Sequence, residues 1–430
     1  LGIKYEFPYQ EFGSLHIPED MDVTILAPRS NIGQTTTDIE QIRLGLNHPI
    51  GAPLLSESVR AGQRVLILVD DNTRITPTRL ILPLVIAELR AAGVNQADIK
   101  LLVASGTHRP MTEAEKKRKY GAAIVRDFAV IDHNWRDRDQ LTQLPTTCQG
   151  TEIFVNKLAL EADFVLGIGH IVPHRVAGFG GGCKIVQPGI CGPITTGQTH
   201  WLSACFEGRE IIGKLDNPIR REIDEVGIRA GLKYIVNTVH DGSGKVFKCV
   251  CGDPVRAFQE GARAAREIYG VPLVSQGDIV ITDSYPNDTE LWQAAKGIFA
   301  GDLALKPGGI LIVVSPCPEG VSTEHPQIVA LGYRSFTEVK SLVVTEKLKE
   351  LTLAAHLAHI GRIARDKGTV ILVSQGISRE VTQKIGFGWA KSPQDALERA
   401  IQLKGKAAKV VLLRNGGEIM PLSADAVGGN

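Results

Sequence analysis

The chain has 430 residues, of which 43% are hydrophobic and 22% charged, enough apolar material for two or three domains that each bury a core. Its 48 Lys and Arg nearly cancel 47 Asp and Glu, so it lacks the strong positive field that nucleic-acid or anionic-membrane binding favours, and a small-molecule partner is expected. Seven scattered cysteines without a CxxC pair argue against a disulfide framework or a structural zinc site and fit a reducing cytoplasm, while no uncharged run approaches membrane-spanning length and the first residues carry no export signal.

Short runs rich in Val, Ile and Leu alternate with segments of helical period, which predicts an α/β fold with mainly parallel sheets flanked by helices. Residues 64–69 read as a buried strand and 76–92 as a helix, with Pro77 in its first turn and Gly93 beyond its end. A second strand is expected over 99–104. Thr112 and Glu115 then match a capping box at the start of a helix. A third strand, 162–168, feeds a glycine-rich segment.

A second block begins near Pro272, with strands expected at 278–282, 309–314 and 369–374 and helices at 289–305 and 351–367. The organisation predicted is a domain over 1–270, rejoined by 408–430, and a smaller domain over 271–407. The apolar run 409–413 is assigned to the first sheet. No internal repeat or low-complexity tract interrupts this pattern.

Polar residues gather after three strands of the first block: Asp70-Asp71-Asn72-Thr73-Arg74, then Ser105-Gly-Thr107-His108-Arg109-Pro110, then His170 through Lys184. Ligands of parallel sheets sit outside the carboxyl ends of strands, so these loops are expected to converge. The third is Gly167-Ile-Gly-His170-Ile-Val-Pro-His174-Arg175-Val-Ala-Gly178-Phe-Gly180-Gly181-Gly182-Cys183-Lys184, followed by Thr199-His200. Glycine permits close backbone approach, histidine binds metal or moves protons near neutral pH, and lysine forms covalent links to cofactors. The segment matches neither a P-loop nor a dinucleotide fingerprint, although Gly180, Gly181 and Gly182 could turn backbone N–H groups toward a phosphate. His170 and His174 have the spacing of helical metal ligands, but Pro173 disfavours a helix there, so separate roles are expected.

Together the Ser-Gly-Thr-His108-Arg-Pro-Met-Thr stretch, the His170–Lys184 segment and Thr-His200 resemble the nickel-pincer lactate racemase family, over nearly the whole chain. The resemblance implies a two-domain layout with the active site in the interdomain cleft. It also implies a nickel-pincer nucleotide, a pyridinium-3-thioamide-5-thiocarboxylic acid mononucleotide, tethered to Lys184, with His200 as a nickel ligand. His108 and His174 become the acid–base pair, and Asp71 and Arg74 members of the active-site loop. The implied reaction is racemisation or epimerisation of a 2-hydroxy acid by hydride removal and return through a 2-oxo acid, which avoids a carbanion beside an anionic carboxylate. A bidentate Arg74 suits the substrate carboxylate, and soft sulfur donors with imidazole suit nickel. Cofactor-maturation enzymes are the implied partners.

Gln293 and Lys296, three apart on an expected helix, share a face and match the Gln-x-x-Lys element of that family, which closes over substrate. Trp292 stands beside them where a tyrosine is expected in lactate racemase itself, which opens the substrate to a larger or more polar acid. Two rival readings remain at this stage: a pyridoxal-phosphate-type enzyme with Lys184 as its Schiff-base lysine, and a metal- or metabolite-binding protein without turnover.

Overall fold

The structure is a computed structural model that describes residues 2–30 and 35–423. The chain divides into two units, one formed by Ser30–Ser203 with Ile211–Ile268 and the other by the rest of the described chain.

The first unit is built on a six-stranded sheet in the order Val246–Gly252, Leu232–His240, Phe164–His170, Val65–Val69, Ile99–Val103, Ala129–Asp132. Only the pairing of Val246–Gly252 with Leu232–His240 is antiparallel. Every side chain of Val65–Val69 is buried, as a strand covered on both faces requires, which explains its unbroken apolar run. The helix Thr78–Ala91 turns Ile81, Leu82, Val85, Ile86 and Leu89 into that core. Thr112 and Glu115 form the expected reciprocal cap on the helix Glu113–Tyr120.

From Val65–Val69 the chain winds outward through Ile99–Val103 to Ala129–Asp132, then returns to the other side at Phe164–His170. This reversal makes a switch point between two neighbouring parallel strands. In parallel sheets the loops that leave the carboxyl ends diverge at such a point, which is where ligands bind. Asp70 and Asp71 follow one of these strands, and the glycine-rich segment follows the other.

The second unit carries six parallel strands in the order Gly388–Trp389, Thr369–Val373, Leu305–Val314, Gly277–Asp283, Val410–Leu413, Val23–Leu26. The 409–413 run therefore does not return to the first sheet. It lies between Gly277–Asp283 and an N-terminal strand, because its four fully buried apolar residues need neighbours on both edges as well as covered faces. The division expected at 270/271 falls close to the observed one, but residues 2–29 and 408–423 belong to the second unit; residues 424–430 lie outside the described residues. Tyr5, Phe7, Tyr9, Leu15 and Ile17 are buried in that unit's core. The expected helix over 351–367 is α-helical over Leu351–Gly361 and π-helical over Arg362–Lys367.

Removal of residues 1–26 should lower amide hydrogen-exchange protection in Val410–Leu413 and Gly277–Asp283 while leaving Val65–Val69 protected. Equal loss in both sheets would contradict this assignment.

Candidate active site

Asp71, two residues beyond the strand Val65–Val69, is buried, and its carboxylate accepts a 2.6 Å hydrogen bond from Nδ1–H of His108. Burial alone would make Asp71 harder to ionise, but His108, Arg74 and the Thr73 hydroxyl outweigh it and hold the carboxyl well below the usual range. With Nδ1–H engaged as the donor to Asp71, the neutral form of His108 carries its lone pair on Nε2. The guanidinium of Arg74 is held over the same loop by the Thr73 carbonyl and hydroxyl.

The three polar loops are tied to one another. Asn72 donates to Glu115 at 2.9 Å, and Arg109 grips the same carboxylate with two nitrogens, which pulls Glu115 down to about 2. Gly106 N–H donates to the Gly189 carbonyl, beyond the glycine-rich segment. The structure thus brings Asp71, Arg74 and His108 together and anchors them to the segment that carries Lys184.

That segment runs as a tight hairpin in which Pro173 faces Phe179 and His174 faces Gly178, followed by a 3₁₀ turn over Gly182–Ile185. The expectation that its glycines offer N–H groups to a phosphate is corrected at two positions. Gly180 N–H donates to Val172 O, and Gly182 N–H to Asn237 Oδ1, both at 2.7 Å. These glycines serve close packing: a Cβ on Gly181 would stand 2.5 Å from Ile171, and one on Gly182 2.8 Å from Phe258, and both residues have positive φ.

The residue that shapes this turn escaped sequence reasoning. Arg220, only 2% exposed, directs its guanidinium at the carbonyls of Ala177, Phe179 and Gly181, lies 4.0 Å over the Phe258 ring and faces Asp224 at 3.5 Å. Its signal in the sequence is a cation between Ile219 and Ile223, on the apolar face of the helix Pro218–Arg229, with Asp224 four residues on. Asn237 and Gln187 were also missed; Gln187 donates to the hydroxyl of Thr199, next to His200.

Lys184 is half-buried, and desolvation, with the positive charges of Arg74 and Arg220, draws its amine down to about 7 against a smaller opposing pull from Asp71. A large fraction is therefore the neutral amine at neutral pH, which is the nucleophilic form.

His170 and His174 do not share a helix, which accords with Pro173 between them. His170 is buried at the end of its strand with its ring stacked on His240 at 5.2 Å, and His174 is extended in the hairpin rather than helical. His200 lies in the helix Pro193–Ala204, where Nδ1–H donates to Thr196 O at 2.8 Å. That bond puts the lone pair of the neutral ring on Nε2, the tautomer a metal ligand needs. Among the described residues no three His, Cys, Asp or Glu side chains form a metal-holding group. A nucleophilic amine and a ligand-competent imidazole fit a tethered metal-binding cofactor.

In the second unit Gln293 is buried and Lys296 is half-buried, with Nζ donating to Asn287 Oδ1. This is not a solvated helix face. Trp292 is stacked between His325 at 4.2 Å and His356 at 3.9 Å, whose partners are Glu350 and Tyr333.

Residues 9–211 match the lactate racemase N-terminal domain and residues 274–420 the lactate racemase C-terminal domain. The chain is 32% identical over 342 residues to the lactate racemase of Thermoanaerobacterium thermosaccharolyticum, covering 78% of each protein. It is 30% identical to that of Lactiplantibacillus plantarum, over 88% of this chain and 89% of the relative. The apoprotein structure of the Thermoanaerobacterium enzyme superposes with a TM-score of 0.85 at 28% identity, covering 98% of this chain and all of that one. A Thermotoga maritima protein shares the fold, with a TM-score of 0.72 at 22% identity over 87% of this chain and all of that one. The chain belongs to the lactate racemase family, whose members are isomerases that act on hydroxy acids with a nickel-pincer nucleotide.

Two predictions follow from the packed cations. Arg220→Met should cost on the order of 3–5 kcal/mol in denaturant unfolding, because Asp224 and three carbonyls lose a buried partner; a change under about 0.5 kcal/mol would contradict it. In the apoprotein, cyanate should carbamylate Lys184 with a midpoint near pH 7. Arg74→Gln should move that midpoint upward, since removing a neighbouring cation favours the ammonium. An unchanged midpoint would show that Arg74 does not act on Lys184.

Proposed function

We propose that this chain inverts the hydroxyl-bearing carbon of a 2-hydroxy carboxylate, lactate or a larger analogue, using a nickel-pincer nucleotide joined to Lys184 with His200 as a nickel ligand. The observation that carries the reading is the Asp71–His108 pair bound at 2.6 Å and tied, through Gly106 N–H and the Gly189 carbonyl, to the chain that carries Lys184, whose amine lies in the field of Arg74 and Asp71. When bound, the cofactor supplies hydride acceptance and return.

The chain's residues divide the remaining work. Arg74 offers a planar fork to the substrate carboxylate. His108 takes the hydroxyl proton on Nε2, and Asp71 stabilises the imidazolium that results. His174 is the second histidine assigned to the substrate oxygen. Gly180, Gly181 and Gly182 let the backbone come close to the cofactor. Gln293 and Lys296 are assigned to substrate recognition on the family pattern, with Trp292 beside them as the feature that admits an acid other than lactate. Cofactor-maturation enzymes are the proposed partners. The proposed compartment is the cytoplasm, in keeping with seven free cysteines; no described helix is long and apolar enough to cross a membrane.

Protein produced with the maturation enzymes should carry a mass adduct and nickel and should interconvert stereoisomers in a screen of 2-hydroxy acids. Lys184→Ala should lose the adduct, and His200→Ala should keep the adduct but lose nickel on desalting. Full adduct in the first variant, or undiminished nickel in the second, would overturn the corresponding assignment. A visible aldimine band without nickel would instead establish the pyridoxal-phosphate alternative.

A further inference from the structure

Trp292, the second residue of the helix Leu291–Ala304, lies flat against two histidines. The His325 ring stands 4.2 Å from its centroid at 20°, and the His356 ring 3.9 Å away at 14°. Two imidazoles so close to one centroid and so nearly parallel to the indole would interpenetrate on a single face. They therefore cover opposite faces.

Each histidine is held from a different direction. The Trp292 N–H donates to Val321 O at 3.0 Å and the Leu291 N–H to Gly320 O at 2.9 Å, while the Glu290 carboxylate accepts from Thr323 N–H at 2.9 Å. These three bonds pin the loop that leads to His325 against the start of the helix. His325 is buried, and its Nδ1 lies 2.7 Å from the Glu350 carboxylate. Glu350 directly precedes the helix Leu351–Gly361, which carries His356. The Nε2 of His356 lies 3.2 Å from the Tyr333 hydroxyl, and the Tyr333 ring is itself stacked on Phe387 at 4.9 Å. Glu350 and Tyr333 thus fix the two outer rings, and the outer rings fix the indole.

An aromatic ring is electron-rich on its faces and electron-poor around its edge, where an indole also carries its N–H. With both faces taken, Trp292 cannot stack on a ligand. It is nonetheless half-buried rather than buried, and what it can offer is its rim. A rim of that polarity attracts an oxygen acceptor and gives little to an alkyl chain.

We propose that His325 and His356 are positioning residues for substrate selection: by holding Trp292 edge-on beside Gln293 and Lys296, they select a 2-hydroxy acid whose side chain carries an oxygen over its plain alkyl analogue. The inference rests on the function proposed above and deepens it to a substrate class. Neither histidine takes part in the bond-breaking steps.

The first measurement is on apoprotein, with the emission of Trp292 isolated as the difference between each protein and its Trp292→Phe partner. Acrylamide quenching of that emission should rise, and its maximum shift to longer wavelength, in His325→Ala and in His356→Ala, because each uncovers one face. His356→Phe, which keeps a ring there, should stay near wild type. Unchanged quenching and wavelength in both alanine variants would overturn the proposal. In cofactor-loaded protein, wild type should favour the oxygen-bearing acid over its alkyl analogue by about tenfold in kcat/KM, the worth of one hydrogen bond. The alanine variants should bring that ratio toward one, chiefly through KM of the oxygen-bearing acid, and His356→Phe should restore it. Equal losses on both acids in folded, loaded alanine variants would overturn the proposal. If loaded wild-type protein inverts no 2-hydroxy acid, the function proposed above fails; if it inverts the alkyl acid preferentially, only this inference fails.

Discussion

The guanidinium of Arg220 is the interior contact on which the site depends. A hairpin with this many glycines loses more conformational entropy on ordering than an ordinary turn, so it needs directed bonds to hold one shape. Arg220 supplies three of them through the carbonyls of Ala177, Phe179 and Gly181, with Phe258 beneath and Asp224 beside it. Isolating a cation there is costly, and Arg220 is itself shifted downward by its burial. The bonds it makes offset that cost and fix two functional groups at once: the hairpin that carries His174 and the turn that begins at Gly182 and carries Lys184.

The same burial sets the electrostatics. Arg74 and Arg220 both disfavour a third positive charge, so Lys184 gives up its proton near pH 7. Between about pH 7 and its unfolded value near 10.4, the unfolded chain binds a proton that the folded chain does not, so this lysine makes apoprotein stability rise with pH through that window. Asp71 behaves in the opposite way. Its folded value is depressed, so its contribution is present above the usual carboxylate range and is lost as pH falls through the folded value. A neutral nucleophilic amine and an ionised carboxylate coexist because one is surrounded mainly by cations and the other is paired with His108.

The buried strands were legible because two-sided burial leaves continuous runs such as Val65–Val69 and Thr369–Val373, and Thr112 with Glu115 announces its cap through side-chain chemistry. Asp71, His108, Lys184 and His200 stand out in the sequence as residue types gathered after strand ends and along one glycine-rich stretch, and the roles proposed for them come from the family resemblance. The assignment of 409–413 failed because an apolar run specifies burial but not which sheet receives it; pairing with Val23–Leu26 involves residues nearly the whole chain apart. The phosphate nest failed because glycine content is silent on where an N–H points, and Val172 and Asn237 claim two of them. Arg220 was hidden for a related reason. Its partners are backbone carbonyls, which leave no mark in the sequence.

Inversion on the proposed function proceeds by hydride removal and return, with His108 handling only the oxygen-bound proton. This route is tested most directly with a 2-hydroxy acid that the loaded enzyme turns over, deuterated at the hydroxyl-bearing carbon and followed in ordinary water. The inverted product should retain its deuterium, because hydride held within the site does not exchange with solvent. Replacement of that deuterium by solvent hydrogen at the rate of inversion would mean proton abstraction from carbon, and would contradict the claim.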